Sequence, residues 1–358
     1  MGQTTMAEVA RQAGVSITTV SHVLNGTRRV SDATVKRVYA AIERTGYQPN
    51  SIARALAGAP THSLGLAISG ISNPYYIDVI AAIELAAAER GYTLLLGDTH
   101  DEPQKELQMV QELTRRRVDG LLLSPSPGAE RHALRYLTAQ SVPVVLVDRF
   151  VDADVDQVGP ENEAPTARLV EHLAGHGHRR IGFVAGLEGL STTDERTRGY
   201  RAGLQHSGLA EDDALIAYGA SQHEPARVAT HRLLDLAEPP TALVAGNNAM
   251  TIGVMHALRE RGLRVPEDIA LVAFDDFEWA ELFRPHLTVV AQPTRAIGAQ
   301  AVQLLLERLD DPGRPARTLR LSTTFVRRES CGCPMPAPAV SARTRAAPAP
   351  SDPEPRRD

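Results

Sequence analysis

The sequence predicts an α/β protein preceded by a small all-α module. Three observations carry that prediction. Short capped helices fill the first sixty residues. From about residue 63 onward, apolar strand-length runs alternate with helical stretches. That alternation comes in two successive series, the pattern of parallel doubly wound sheets in two lobes. The chain has 358 residues, 43% hydrophobic and 23% charged, enough for a sizeable core and for two or three domains. No apolar run reaches the roughly 18 residues of a membrane span, and the N-terminus shows no apolar segment of a secretory signal. Cys331 and Cys333 are the only cysteines, so no disulfide framework is expected and the protein reads as reduced and cytosolic.

The net charge of −5 hides an asymmetry. Residues 1–60 hold seven basic and three acidic side chains, a balance of +4, which leaves 31 basic and 40 acidic groups in the remainder. A small cationic module on an acidic body suits phosphate binding by one end. Within that module Thr5-x-x-Glu8 is a capping box, followed by Met6, Val9, Ala10 and Ala13 at helical spacing and Gly14 as the stop. Ser16 caps a second helix that runs to about Asn25. Ser31 caps a third, with Val35, Val38, Tyr39 and Ile42 as its buried stripe and Gly46 past its end. Only a tight turn separates the first two helices, which is a helix-turn-helix layout.

On the second helix Val20, Val23 and Leu24 share one side, and Ile17, Thr18, Ser21, His22 and Asn25 share the other. The second group is short or hydrogen-bonding and contains no acid, so it can approach phosphates and base edges. An ordinary polar surface face would read the same way in isolation. After the third helix, Asn50 can cap one or two turns ending at Gly58, a hinge helix too short to be stable alone in water. Leu56 on it either packs on the body or wedges between base steps of a minor groove.

In the body the first series of strands is Ser63–Ser69, Thr93–Leu96, Val118–Leu123 and Val142–Val147, with helices over Tyr75–Arg90 and Pro103–Arg116. The second series is Ile181–Val184, Ala242–Ala245 and Leu271–Phe274, with a helix over Asn248–Arg261, and Asp154–Glu163 reads as a crossover between lobes. Ligands of such sheets sit beyond the carboxyl ends of the strands. Those ends carry Tyr75-Tyr76, Asp148-Arg149, Asn247-Asn248 and Asp275-Asp276, with Arg196 and Trp279 nearby. Aromatic planes, carboxylates, an amide and an arginine suit a polyhydroxylated ligand, although each aspartate alone could equally cap a helix or start a turn.

The strings TMAEVARQAGVS (Thr5–Ser16), TVSHVLNG (Thr19–Gly26), GYQPN (Gly46–Asn50) and IARAL (Ile52–Leu56) closely resemble the lactose-repressor (LacI/GalR) family of bacterial transcription regulators. The resemblance runs to about Cys333. It implies a helix-turn-helix headpiece with hinge helix over 1–61 and a two-lobed body of the periplasmic-binding-protein type I fold over 62–333, crossing between lobes three times. It also implies a homodimer on pseudo-palindromic double-stranded operator DNA and a small-molecule effector. Ile17, Thr18 and His22 would read bases and Leu56 would enter the minor groove. Ser16, Thr19, Ser21, Asn25, Ser31, Asn50 and Arg54 would complete the DNA contacts. Tyr75, Tyr76, Asp148, Thr192, Arg196, Asn247 and Asp275 would bind the effector, with Trp279 stacking on it. His22 stands where most members carry arginine. Leu190 and Ser221 replace an arginine and a phenylalanine of the purine-binding member, which favours a sugar over a purine.

Other chemistry finds little footing. His172 and His176 have a metal-capable spacing, but nothing near them in sequence completes a site, and Cys331-Gly332-Cys333 is not a CxxC motif, so neither metal nor cofactor is expected. Phosphate-loop, dinucleotide, nucleophile-elbow and zinc-protease motifs are absent. A sugar-acting enzyme using Asp148 and Asp275, or a sugar-binding protein, would leave the first sixty residues unexplained. Residues 334–358 hold seven prolines and no periodic apolar face, and read as a disordered tail.

Overall fold

The computed structural model describes residues 4–25, 28–47, 60–128, 131–282 and 284–333. The N-terminal module has helices α1 (Met6–Ala13), α2 (Ile17–Asn25) and α3 (Asp32–Thr45) around Val9, Ala10, Ala13, Val20, Val38, Ala41 and Tyr47. Gly14 ends α1 at φ 64°, a left-handed conformation that would strain a side-chain-bearing residue. The Ser16 hydroxyl accepts from Thr19 N at 3.1 Å, capping α2. Three details differ from the sequence reading, the first being that Ser31 stands at the N-cap of α3 but its side chain makes no cap hydrogen bond. Thr5 accepts from Glu8 N, but the Glu8 carboxylate turns to Arg11 and Gln12, so only half of the capping box forms. Tyr39 is 53% exposed: it lies about 100° round the helix from Val38, off the stripe that Val38 and Ala41 bury.

The body contains two six-stranded sheets of the same topology. The first holds β1 (Ser63–Ile68), β2 (Thr93–Asp98), β3 (Gly120–Leu123), β4 (Val144–Val147) and β5 (Asp156–Pro160) in the order β11-β5-β4-β3-β1-β2. The second holds β6 (Ile181–Ala185), β7 (Ile216–Tyr218), β8 (Ala242–Ala245), β9 (Ala270–Phe274) and β10 (Thr288–Ala291) in the order β12-β10-β9-β8-β6-β7. Strands β11 (Thr318–Leu321) and β12 (Thr324–Val326) close one edge of each, β11 parallel to β5 and β12 antiparallel to β10. All other pairings are parallel.

Helices α4 (Pro74–Ala88), α5 (Pro103–Arg115) and α6 (His132–Ala139) cover the first sheet. Helices α7 (Glu163–Gly175), α8 (Ser191–His206), α9 (His223–Leu234) and α10 (Asn248–Glu260) cover the second. The long helix α11 (Thr294–Asp310) returns to the first lobe, where Ile297, Ala301 and Leu305 join the core under α4. The chain thus passes between lobes near residues 161–162, 292–293 and 322–323. The Asp154–Glu163 crossover contains strand β5, whose five residues are all buried. Strands β11 and β12 were not legible in the sequence because they are only four and three residues long and half exposed. Among the described residues, no helix is long and apolar enough to cross a membrane.

Candidate functional site

Two surfaces merit attention. On α2, the apolar side is taken up by the module's core, which leaves Ile17 52% exposed, with Ser16 and Thr18 exposed beside it. Ile17 lies off the side of α2 that packs on the core. Thr19, Ser21 and His22 are half buried at its margins. Ser31 is the exposed residue before α3, its hydroxyl paired with Thr34 Oγ1 at 3.0 Å. Arg28, Arg29, Lys36 and Arg37 of the same module are all exposed. The side chain of Asn25, and all of Asn50, Arg54 and Leu56, lie outside the described residues.

The second surface is the cleft between the lobes. Asp148 follows β4 and Asp275 follows β9, topologically equivalent strands. Both have left-handed backbones (φ 72° and 78°) and are only 2% exposed. Asp148 N donates to Val158 O, and Asp275 N donates to Val290 O, each at 2.9 Å. Each aspartate is therefore fixed by the next strand of its sheet. A Cβ at Gly159 in β5 would meet Asp148 O at 2.7 Å, so that neighbour has to be glycine.

Around Asp148, Tyr75 Oη donates to one carboxylate oxygen at 2.6 Å and Tyr76 Oη to the other at 2.8 Å. Asn73 caps α4 and so aims both tyrosines at the cleft. Arg149, 4% exposed, donates to Asp101 at 2.5 Å, to Pro125 O at 2.9 Å and to Tyr76 Oη at 3.1 Å. Burial and the facing Asp148 charge hold the Tyr75 hydroxyl well above its ordinary pKa. Burial likewise raises that of Tyr76.

Around Asp275, Gln292 Nε2 donates to one oxygen and Asn248 N to the other at 3.1 Å. Burial raises the Asp275 carboxyl above the usual range and Asp148 adds to this, while Arg196 and Gln292 pull it back without cancelling the rise. Arg196 donates to Asn162 Oδ1 at 2.9 Å and Gly246 O at 2.6 Å, with its guanidinium 3.8 Å over the Phe274 ring. Asn247 caps α10 through Met250 N at 2.8 Å. Two buried polar atoms here make no hydrogen bond within the protein, Asn248 Nδ2 and Gln292 Oε1, while Arg149 Nε has only its ion-pair contact with Asp148 at 3.7 Å. A donor and an acceptor left over beside two carboxylates match a ligand whose hydroxyls both donate and accept.

Comparison with known proteins decides the family. The model for bacterial regulatory proteins of the lacI family matches residues 5–50, and that for a periplasmic binding protein-like domain matches residues 170–331. The ribose operon repressor of Escherichia coli is 35% identical over 331 residues, covering 91% of this chain and 99% of the relative. The transcriptional repressor PurR of Vibrio atlanticus is 32% identical over 91% of this chain and 98% of its own. The chain belongs to the lacI family. Among solved structures, a lac repressor dimer bound to operator and the anti-inducer ONPF superposes with a TM-score of 0.82 at 28% identity, covering 92% and 99% of the two chains. A complex of the transcriptional regulator CelR with cellobiose gives 0.71 at 31% identity, covering 92% and 100%. This lacI-family protein is accordingly a DNA-binding transcription regulator with an effector-binding body.

Within this lacI-family chain the fold brings Tyr75, Tyr76, Asp148, Arg196, Asn247 and Asp275 to strand ends and helix starts around the cleft. Thr192 lies buried one helical turn before Arg196 on α8. Trp279, expected to stack on the effector, lies in the short 3-10 turn after β9, where the indole packs on Phe277 (centroids 4.2 Å apart) beside the apolar cluster under α9 and α10. The sequence reading missed Gln292 and Asn162. Gln292 follows β10, so the strand-end rule would have found it had that strand been read.

Proposed function

We propose that this lacI-family regulator represses transcription as a homodimer on a pseudo-palindromic operator, and that a sugar or similar polyol held between Asp148 and Asp275 switches it. The observation that carries the effector class is the pair of buried aspartates, ringed by Tyr75, Tyr76 and Arg196 and by Asn248 Nδ2 and Gln292 Oε1, which make no hydrogen bond within the protein. A purine would call for an aromatic plane and a base-edge reader. The corresponding positions hold Ser221, whose hydroxyl accepts from Leu187 N, and Leu190, which is apolar and buried. The ribose operon repressor and the cellobiose-bound structure support this reading, and the PurR relatives supply the alternative that the test below separates.

Dimerisation finds support on the first lobe, where Ile77 and Leu85 of α4 and Leu96 of edge strand β2 are 51%, 60% and 45% exposed. Exposed apolar groups on a helix and a neighbouring strand suit burial against a second copy. Ile17, Thr18 and His22 would then read one half-site in the major groove, and Leu56 on the hinge would enter the minor groove. A regulator working on chromosomal DNA acts in the cytoplasm, and the body serves as a sensor rather than an enzyme. Both oxygens of Asp148 accept hydrogen bonds from tyrosine hydroxyls, which suits a binding role. A coupling of about 1–3 kcal/mol between cleft and headpiece would change operator affinity about 5–150-fold.

The test is a thermal-shift panel of monosaccharides, disaccharides, sugar phosphates and purines on the full chain. A ligand at 100 times its Kd adds about 2.7 kcal/mol. Stabilisation by a sugar, lost in Arg196→Ala, supports the reading. Stabilisation by purines alone overturns the sugar assignment.

A further inference from the structure

The second lobe holds a cluster that the cleft does not use. His172, in the last turn of α7, and His176, the residue capping that helix, are one turn apart, with ring centroids 4.7 Å from each other. Far along the chain, Cys331 and Cys333 follow β12 and fold back beneath the same helix, 1% and 6% exposed. Cys333 Sγ lies 3.0 Å from His176 Nε2 and 3.4 Å from His172 Nε2. The ligand atoms of His172, Cys331 and Cys333 all lie within 4.8 Å of one another. The sequence shows two histidines and two cysteines more than 150 residues apart, and only the fold joins them.

We propose that His172, Cys331 and Cys333, with His176 in the fourth position, form a structural site for a zinc-type divalent cation. Two thiolates and two imidazoles are the donor set that favours tetrahedral zinc over harder ions. A tetrahedral ion with Zn–S of about 2.3 Å and Zn–N of about 2.0–2.1 Å holds sulfur and nitrogen ligands roughly 3.5 Å apart, close to the distances of Cys333 Sγ from the two imidazole nitrogens, and His176 completes the set by a turn of its exposed ring. The surroundings suit the role. Thr288 Oγ1 donates to Cys331 Sγ at 3.2 Å, and the Phe325 ring packs edge-on against His172 with centroids 5.1 Å apart, fixing the imidazole. Exposed His176 gives the ion a way in from solvent. Binding replaces the two thiol protons, which leave to water, and changes no oxidation state. Arg327 is close enough to act on Cys333 and His176, and the two thiolates offset its charge. An ion here would staple the chain just after its third passage between lobes to the helix that follows its first passage.

The experiment uses the full chain, purified reduced and without a metal-affinity tag. Metal content is measured directly, then the chelated protein is titrated with Co2+ and with Zn2+ against a chromophoric competitor. The expected result is one ion per chain, a thiolate-to-cobalt charge-transfer band with intense tetrahedral d–d bands, and a higher Tm with Zn2+. Cys333→Ser should cut the charge-transfer band to about half, since Cys331 remains as a thiolate ligand. His176→Ala alters only an exposed side chain, so the fold should persist. It should weaken Zn2+ by at least the roughly 10–100-fold that loss of an outer-shell partner costs. No ion bound by the reduced protein overturns the proposal, as does a cobalt spectrum without thiolate character or one unchanged in Cys333→Ser.

Discussion

The two lobes share one topology and place an aspartate at the same point in each, yet they surround it differently. In the first lobe both Asp148 oxygens receive phenolic hydroxyls, and a buried arginine backs them. In the second, Asp275 receives one side-chain amide and one backbone N–H, and burial raises its carboxyl pKa. Equivalent backbone geometry therefore fixes where a charge stands, while the neighbouring side chains decide how firmly it is held as a charge. Both Asp148 oxygens are thus held by phenolic hydroxyls, whereas Asn248 Nδ2 and Gln292 Oε1 beside Asp275 make no hydrogen bond within the protein. A ligand bridging the two would gain most of its new hydrogen bonds from the second.

Replacing each aspartate by asparagine tests that difference most strongly. Asp148→Asn removes one acceptor from a network of two tyrosines and leaves Arg149 with a single carboxylate, so it should lower stability by about 1–3 kcal/mol. Asp275→Asn can pair its amide with Gln292 Oε1, which has no partner in the protein, and should cost far less. Chemical denaturation of both variants gives the comparison, and equal losses would end it. Effector binding should be weakened in both.

Next come the tyrosines. Tyr76→Phe removes a hydroxyl that both donates to Asp148 and accepts from Arg149, and should cost about 1–3 kcal/mol. Tyr75→Phe breaks one bond and should cost about 1 kcal/mol. A reversed order in denaturation would show that the arginine contact contributes nothing.

The third difference is one of pH. The Asp275 pKa is raised in the folded state, so its contribution to stability is greatest below the ordinary carboxyl value near 3.9 and declines as pH rises through the raised value. Asp275→Asn removes that decline. The Tm of the variant relative to the parent should therefore improve from pH 4 to pH 8, and a flat difference would contradict the burial argument. The smallest effect belongs outside the lobes. Ile17→Ala should leave stability within about 0.5 kcal/mol, leave effector binding untouched and weaken operator binding in a gel-shift titration.

Much of this was readable in the sequence because local rules acted alone. The Ser16 cap, the left-handed Gly14 and the apolar side of α2 follow from chemistry within a few residues, and so does the presence of an aspartate at the end of β4 or β9. Reading stopped where the signal was tertiary. Tyr39 sits near an apolar stripe but off its centre, and Trp279 is polar-tipped and aromatic in a promising loop. Only the packing of Phe277 beside it shows where the indole goes.

The sequence by itself determined the helix-turn-helix layout, the two strand-helix series and the residue types at the strand ends, since capping, periodicity and turn chemistry act over a few residues. Only the tertiary structure decided which of those residues meet. Asp148 and Asp275 face each other because two sheets of one topology oppose their carboxyl ends. Gln292 reaches Asp275 because β10 lies beside β9. His172 meets Cys333 because the chain passes between the lobes a third time, bringing together residues whose separation in sequence hides their contact.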